Sequence, residues 1–247
     1  MRAWPLIAVA LVVAAGCQES GFDESRETQR PLRVQHELGE LAGTKVPGVA
    51  DRPMTLSLGA LSTALALGVE PVRAAVPGGA LPDYLRSEAA GVEVVPPLTE
   101  LDLAAVEAAA PDVIIGAVRD YRGLYRDLAR IAPTVMADGL NWKLDLRLYG
   151  EALGRTNDAE QLLIDWDERV ARVRELVGER EVSVVLAGPA AGVPTGEGSF
   201  AGSILTDAGV RAGSGGDVVV RVRAGPEWAG GDLLAARAAL AALEQEL

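Results

Sequence analysis

The longest periodic stretch of the chain, residues 142–177, carries apolar side chains at Leu144, Leu148, Leu153, Leu162, Leu163, Trp166, Val170, Val173 and Val177. Spacings of three and four dominate, so the stretch reads as a long helix with one apolar face that needs a cover. Only Gly150 and Gly154 interrupt the pattern, and a helical glycine costs about 1 kcal/mol, too little to abolish the helix. On both sides short apolar runs alternate with amphipathic stretches, in the order strand, helix, strand, helix, which points to an α/β layered fold. The expected architecture is two α/β lobes joined by a long connecting helix.

Local signals place the elements. Short runs near 33–38 and 44–46, separated by residues 39–43, read as an opening hairpin. Residues 54–58 form a strand, followed by a small-residue helix from about Ala60 that stops at Gly68, a residue type that commonly ends helices. Residues 72–76 are the next strand, and a helix around 81–89 leads to a strand at 92–95. Asp102 caps a helix that ends before Pro111, and 112–115 is a short buried strand. A helix over 121–130 and a strand over 134–137 complete the first half. Beyond the long helix come a strand at 181–187, a Gly/Pro-rich loop to Gly198, a helix over 199–208, a strand at 217–223 and a terminal helix from Asp232. The lobes therefore span 32–141 and 181–247, with the connecting helix at 142–180. The second lobe is the shorter, and small units bury proportionally less surface.

The amino terminus has a secretory layout. Arg2 precedes an apolar run over 6–15 that closes on Ala14-Ala15-Gly16-Cys17. A run of about ten apolar residues is too short for a bilayer core that needs about 20. The segment resembles a bacterial lipobox, which implies a signal peptide over 1–16 and lipidation of Cys17 as the new first residue. Residues 17–31 then read as a lipidated polar tether, holding the protein at the cell envelope, on the outer face of the cytoplasmic membrane or in the periplasm. Cys17 is the only cysteine, so an intramolecular disulfide and a thiol metal site are both excluded.

Charge narrows the function classes. With 23 Lys+Arg against 35 Asp+Glu the net charge is -12, the wrong sign for a nucleic-acid surface. The single histidine, His36, stands alone in the opening hairpin, so no metal site is expected. No Gly-x-Ser-x-Gly elbow is present, and the carboxylates of 165–168 fit a solvated helix face, so an enzyme is not expected. Residues 196–202 superficially fit a dinucleotide-binding glycine pattern, but no strand with a terminal acid follows at the right spacing; a helix cap is the simpler reading, and no cofactor is expected.

Several phrases, in order, carry a resemblance to a known family: Leu58-Gly-Ala-Leu-Ser-Thr-Ala-Leu-Ala-Leu-Gly-Val-Glu-Pro-Val72, Leu103-Ala-Ala-Val-Glu-Ala-Ala-Ala-Pro-Asp-Val-Ile-Ile-Gly116, Ile131-Ala-Pro-Thr-Val135, Leu148-Tyr-Gly-Glu-Ala-Leu-Gly154 and Gly198-Ser-Phe-Ala-Gly-Ser-Ile-Leu205. Together they resemble the iron-siderophore and cobalamin substrate-binding proteins of ABC importers, over nearly all of 32–247. The resemblance implies a ligand cleft between the lobes, a ferric siderophore or related iron or corrinoid complex as cargo, and an ABC permease as partner. This chain departs from the pattern where units normally between the helix from Gly198 and the last strand are replaced by residues 210–216, a shortened C-terminal lobe. The glutamates by which family members often dock on the permease fall at Ser62 and, in the second lobe, at Thr206.

A bulky, often anionic chelate calls for arginines and aromatic faces. Arg119, Tyr121 and Arg122 follow the strand ending at Gly116, at the carboxyl edge where α/β sheets bind ligands; a solvated helix start is the alternative. Trp142, in the first turn of the connecting helix, faces either the cleft or the hinge core. Trp228 stands near the cleft or packs under the terminal helix. The rival to a transport receptor is a degenerate surface lipoprotein that serves as a structural or protein-interaction module.

Overall fold

The structure is a computed structural model that describes residues 30–39, 43–96 and 103–247. The signal peptide, Cys17 and most of the tether lie outside the described residues, as does the Asp102 cap. An antiparallel hairpin, β1 (Leu32–Val34) with β2 (Thr44–Val46), opens the described chain. The first lobe then builds a parallel sheet from β3 (Pro53–Thr55), β4 (Arg73–Ala75), β5 (Val94–Val95), β6 (Val113–Ala117) and β7 (Thr134–Ala137), in the spatial order β5-β4-β3-β6-β7. Every residue of β6 and β7 is buried, as strands covered on both faces by helices must be. The order reverses between β3 and β6, and such a switch point opens a crevice at the carboxyl ends of the strands.

Helix α1 (Leu58–Ala66) starts at Ser57, whose side chain accepts the Ala60 N–H, and runs directly out of β3. The short α2 (Asp83–Arg86) and α3 (Leu103–Ala108) serve the β4 side of the sheet and the approach to β6. After β6 the chain forms α4 (Val118–Tyr121), a single 3₁₀ turn, and α5 (Tyr125–Ile131), in place of the one helix expected over 121–130.

The stretch expected as one connecting helix is two, α6 (Trp142–Ala152) and α7 (Thr156–Val177). The break has a steric cause. Gly154 has φ +71°, and a Cβ there would stand 1.9 Å from the Gly48 carbonyl oxygen. The turn is therefore pressed against the backbone that enters β3, and only glycine permits both the left-handed dihedral and the close approach. Gly150 is similarly crowded, its missing Cβ lying 2.6 Å from that of Ala159, so α6 and α7 close tightly on each other.

The second lobe has a three-stranded parallel sheet, ordered β10-β8-β9, from β8 (Val182–Ala187), β9 (Arg211–Ala212) and β10 (Val218–Arg223). Residues 210–216, expected to be a bare connection, hold the two-residue β9. Burial alternates over Val220, Arg221, Val222 and Arg223, so the edge strand β10 covers one face only. Helix α8 (Phe200–Asp207) packs on this lobe, and α9 (Leu233–Glu244) ends the chain. Helix α9 also packs on α1, α6 and α7, so one continuous apolar core runs from Val34, Ala60 and Ile115 through Trp166 to Leu240.

Candidate functional site

A pocket of about 340 Å³ opens where the two lobes meet, at the small end of ligand cavities, which run from roughly 300 to 1,000 Å³. Three stretches of chain wall it: the turn after β7 with the start of α6, one side of α8 from its cap at Ser199 to its last residue Asp207, and Gly231 before α9. Two helix starts thus face it, that of α6 in the connecting stretch and that of α8 in the second lobe. At α6, the Asn141 side chain accepts the Lys143 and Leu144 N–H groups; at α8, Ser199 Oγ accepts from Gly202 N and donates to Gly196 O. Gly202 suits this place because a Cβ would lie 2.2 Å from Gly196 O. Helix starts present backbone N–H groups and the positive end of the helix dipole, a favourable environment for ligand oxygens.

The side chains in the pocket are aromatic and charge-balanced. Trp142 packs edge-on against Trp166 with ring centroids 5.1 Å apart, and Lys143 Nζ lies 5.5 Å from the Trp142 ring and 5.9 Å from that of Trp166. Lys143 donates to Asp207 Oδ2 at 2.7 Å, and Trp166 Nε1 donates to the same oxygen at 3.0 Å. Asp207 therefore neutralises the lysine that lines the pocket and fixes the indole behind it. Phe200 and Leu140 line the mouth, Leu140 being 82% exposed.

Of the residues nominated from sequence, Trp142 lines this pocket, but only by an edge: it is 6% exposed and belongs to the core shared by both lobes. Arg119 and Arg122 are exposed and each already has a carboxylate partner, Asp120 and Glu37 respectively. Tyr121 is buried in the core between the first sheet and its helices, with Met54, Ile114 and Leu128. Burial pushes its phenol pKa up, and Asp120 adds to the rise. Trp228 is fully buried beneath α9 in the core shared by both lobes. A cleft lined jointly by Arg119, Trp142 and Trp228 is not what the fold builds: the turn after β6 sends Tyr121 inward, and α9 covers Trp228. Sequence reasoning missed Lys143, Asp207 and Phe200. Lys143 is one of two lysines in the chain, a signal that goes unused until Asp207, 64 residues away, is placed beside it.

Neighbouring groups complete the surroundings. Tyr149, from α6, donates to Gly116 O at 2.7 Å and so ties α6 to the end of β6; its complete burial drives its pKa strongly upward. Asp145, one turn into α6, is raised to about 7, first by burial and then by repulsion from Asp138, with a hydrogen bond from the Gly139 backbone opposing. His36 sits 2.9 Å from Thr44 Oγ1 and accepts from Met136 N, pinning the opening hairpin to β7; burial lowers its pKa, which favours the neutral ring.

A family model described as periplasmic binding protein matches residues 55–213. The chain is 32% identical over 187 residues to the "Probable siderophore-binding lipoprotein YfiY" of Bacillus subtilis, covering 73% of this chain and 57% of that protein. It is 36% identical over 127 residues to the achromobactin-binding periplasmic protein of Dickeya dadantii, covering 50% of this chain and 42% of that one. Among solved structures, Staphylococcus aureus SirA complexed with staphyloferrin B aligns with a TM-score of 0.58 at 26% identity, over 75% of this chain and 65% of that one. A periplasmic solute binding protein from Mycobacterium smegmatis shares the fold at a TM-score of 0.68 and 19% identity, over 88% of this chain and 97% of that one. The chain spans less than two thirds of the length of the curated relatives it matches.

Proposed function

The chain belongs to the periplasmic binding protein family, and from that premise we propose that it captures a ferric siderophore or a similar iron complex outside the cytoplasmic membrane and passes it to the permease of an ABC importer. The observation that carries the reading is the pocket itself, bounded by the helix starts of the connecting stretch and of the second lobe and by Trp142, Lys143 and Phe200. Phe200 and the exposed edge of Trp142 suit the organic shell of the chelate, and the N–H groups of the helix starts suit its peripheral oxygens. No bond in the ligand changes, so the task is binding and release alone. Arg119 and Arg122 stay candidates for the outer rim, because an exposed ion pair is a weak hold that an anionic ligand can replace. Lipidation at Cys17 would keep the protein beside its permease. Docking would use contacts other than the usual glutamates, whose expected positions hold a buried Ser62 and an exposed Thr206.

Tryptophan fluorescence tests the reading, because Trp142 lines the pocket and Trp166 packs against it. The protein is titrated with iron-loaded and iron-free carboxylate, catecholate and hydroxamate siderophores, and with cobalamin and haem. Saturable quenching by an iron-loaded siderophore, with its half-saturation moved to higher concentration by Phe200→Ala in a variant that still folds, is the expected result. A folded protein that responds to no iron chelate would overturn the proposal and favour the interaction-module reading.

A further inference from the structure

Asp232 is 2% exposed, and the binding chemistry described above does not use it. Its Oδ1 accepts from Ala235 N at 2.8 Å and from Ser62 Oγ at 2.5 Å, while Oδ2 accepts from the Tyr84 hydroxyl at 3.0 Å. The first of these bonds is an ordinary helix cap within α9. The other two cross between the lobes: Ser62 belongs to α1 and Tyr84 to α2, both in the first lobe, whereas Asp232 follows β10 of the second. Ser62 is fully buried, with no access to solvent as an alternative partner. Burial pushes the Asp232 carboxyl pKa up in spite of its donors. A buried carboxylate of this kind persists when its hydrogen bonds are all made, and it becomes expensive when one is removed.

The backbone beside Asp232 is shaped for the same contact. At Gly230 a Cβ would stand 2.8 Å from the Tyr84 hydroxyl and 2.3 Å from the Ala235 Cβ, so any side chain there would push the phenol off the carboxylate. Gly231, with φ +73°, lies next in the chain and forms one wall of the pocket. A Cβ at Gly59, on α1, would come 3.9 Å from the Gly231 carbonyl oxygen. The two-glycine turn is thus held between α1, α2 and the start of α9, with its outer residue facing the ligand space.

We propose that Asp232 is a positioning residue: through Ser62 and Tyr84 it latches the start of α9 to the first lobe and thereby sets the spacing of the lobes and the place of Gly231 in the pocket wall. At Ser62 a fully buried hydroxyl thus holds a carboxylate that follows the second lobe's last strand. The latch's effect on affinity rests on the binding function proposed above, but its effect on lobe spacing does not.

The experiment reads both. Spin labels are placed at Arg130→Cys in the first lobe and Arg223→Cys in the second, with Cys17→Ser to leave no other thiol, and the interlabel distance distribution is measured by pulsed electron paramagnetic resonance. The parent is expected to give one narrow distance. Ser62→Ala and Tyr84→Phe, which leave the α9 cap bond intact, are each expected to broaden or shift it, as is Asp232→Ala, whereas Ser62→Thr, which keeps the hydroxyl, is expected to retain the parent distance. Where the parent binds an iron chelate, Tyr84→Phe is expected to weaken that affinity about tenfold, the equivalent of one hydrogen bond to a charged group. An unchanged narrow distance in folded Ser62→Ala and Tyr84→Phe would overturn the latch, whether or not any chelate binds. Failure of the parent to bind any chelate, with the distance effects present, would overturn the binding function and leave the latch standing.

Discussion

Replacing Asp207 tests whether the floor of the pocket is organised by one carboxylate. Its Oδ2 accepts from both Lys143 Nζ and Trp166 Nε1, and Arg174 reaches only its backbone oxygen, so side-chain substitution leaves that third contact in place. Trp166 is 1% exposed, so Asp207→Ala would strand an indole N–H in the core, at about 1–3 kcal/mol. The Lys143 pair, with side chains 29% and 24% exposed, adds at most about 1 kcal/mol. The expected loss for alanine is about 1–4 kcal/mol. Asp207→Asn keeps an amide oxygen for the indole and forfeits only the ion pair, so it should cost about 1 kcal/mol or less. Equilibrium urea unfolding at neutral pH, followed by tryptophan fluorescence, separates the two through their midpoints at a common slope. Equal losses for alanine and asparagine, or a loss under about 1 kcal/mol for alanine, would refute the assignment of the indole bond as the main term.

Two further expectations follow from particular contacts. Gly154→Ala places a methyl group 1.9 Å from the Gly48 carbonyl oxygen at φ +71°; the combined strain and clash should lower stability by about 3 kcal/mol or more, and a thermal or urea midpoint near that of the parent would show that the α6–α7 turn can move away. Asp145 is raised to about 7, above the ordinary carboxylate value. Its folded form holds the proton more tightly than the unfolded chain does, so its contribution to stability is complete below about pH 4 and is lost as pH rises through about 7. Asp145→Asn should flatten the fall in stability between those values, and a parent whose stability rises over that window relative to the variant would contradict the assigned direction.

Much of the fold was legible because it is encoded locally. The strand Thr134–Ala137 and the start of the terminal helix at Asp232 fall where the sequence placed them, the first because a short apolar run between turn signals has few alternatives, the second because an Asp before a helical run is a self-contained cap. The alternation of strand and helix, with an apolar stripe on the long helical stretch, was enough for two α/β lobes. The break at residues 153–155 was not legible, since its cause is the backbone of Gly48, about a hundred residues earlier in the chain.

The candidate site divides along the same line. Trp142 was accessible to sequence reasoning as an aromatic in the first turn of a helix, and it lines the pocket. Tyr121 and Trp228 point into cores with no share in the pocket, and Trp142, also a core residue, keeps only an edge on it, because the direction of a side chain at a loop or helix start depends on which neighbours arrive to cover it. Lys143 with Asp207, and Ser62 and Tyr84 with Asp232, are pairings between segments 64 to 170 residues apart. By itself the sequence determined the kinds of element, their order and the apolar faces they must bury, since periodicity and capping act within a few turns of chain. Only the tertiary structure decided which polar groups meet, because a hydrogen bond or ion pair requires atoms within about 3 Å, and that proximity is set by the packing of the whole core.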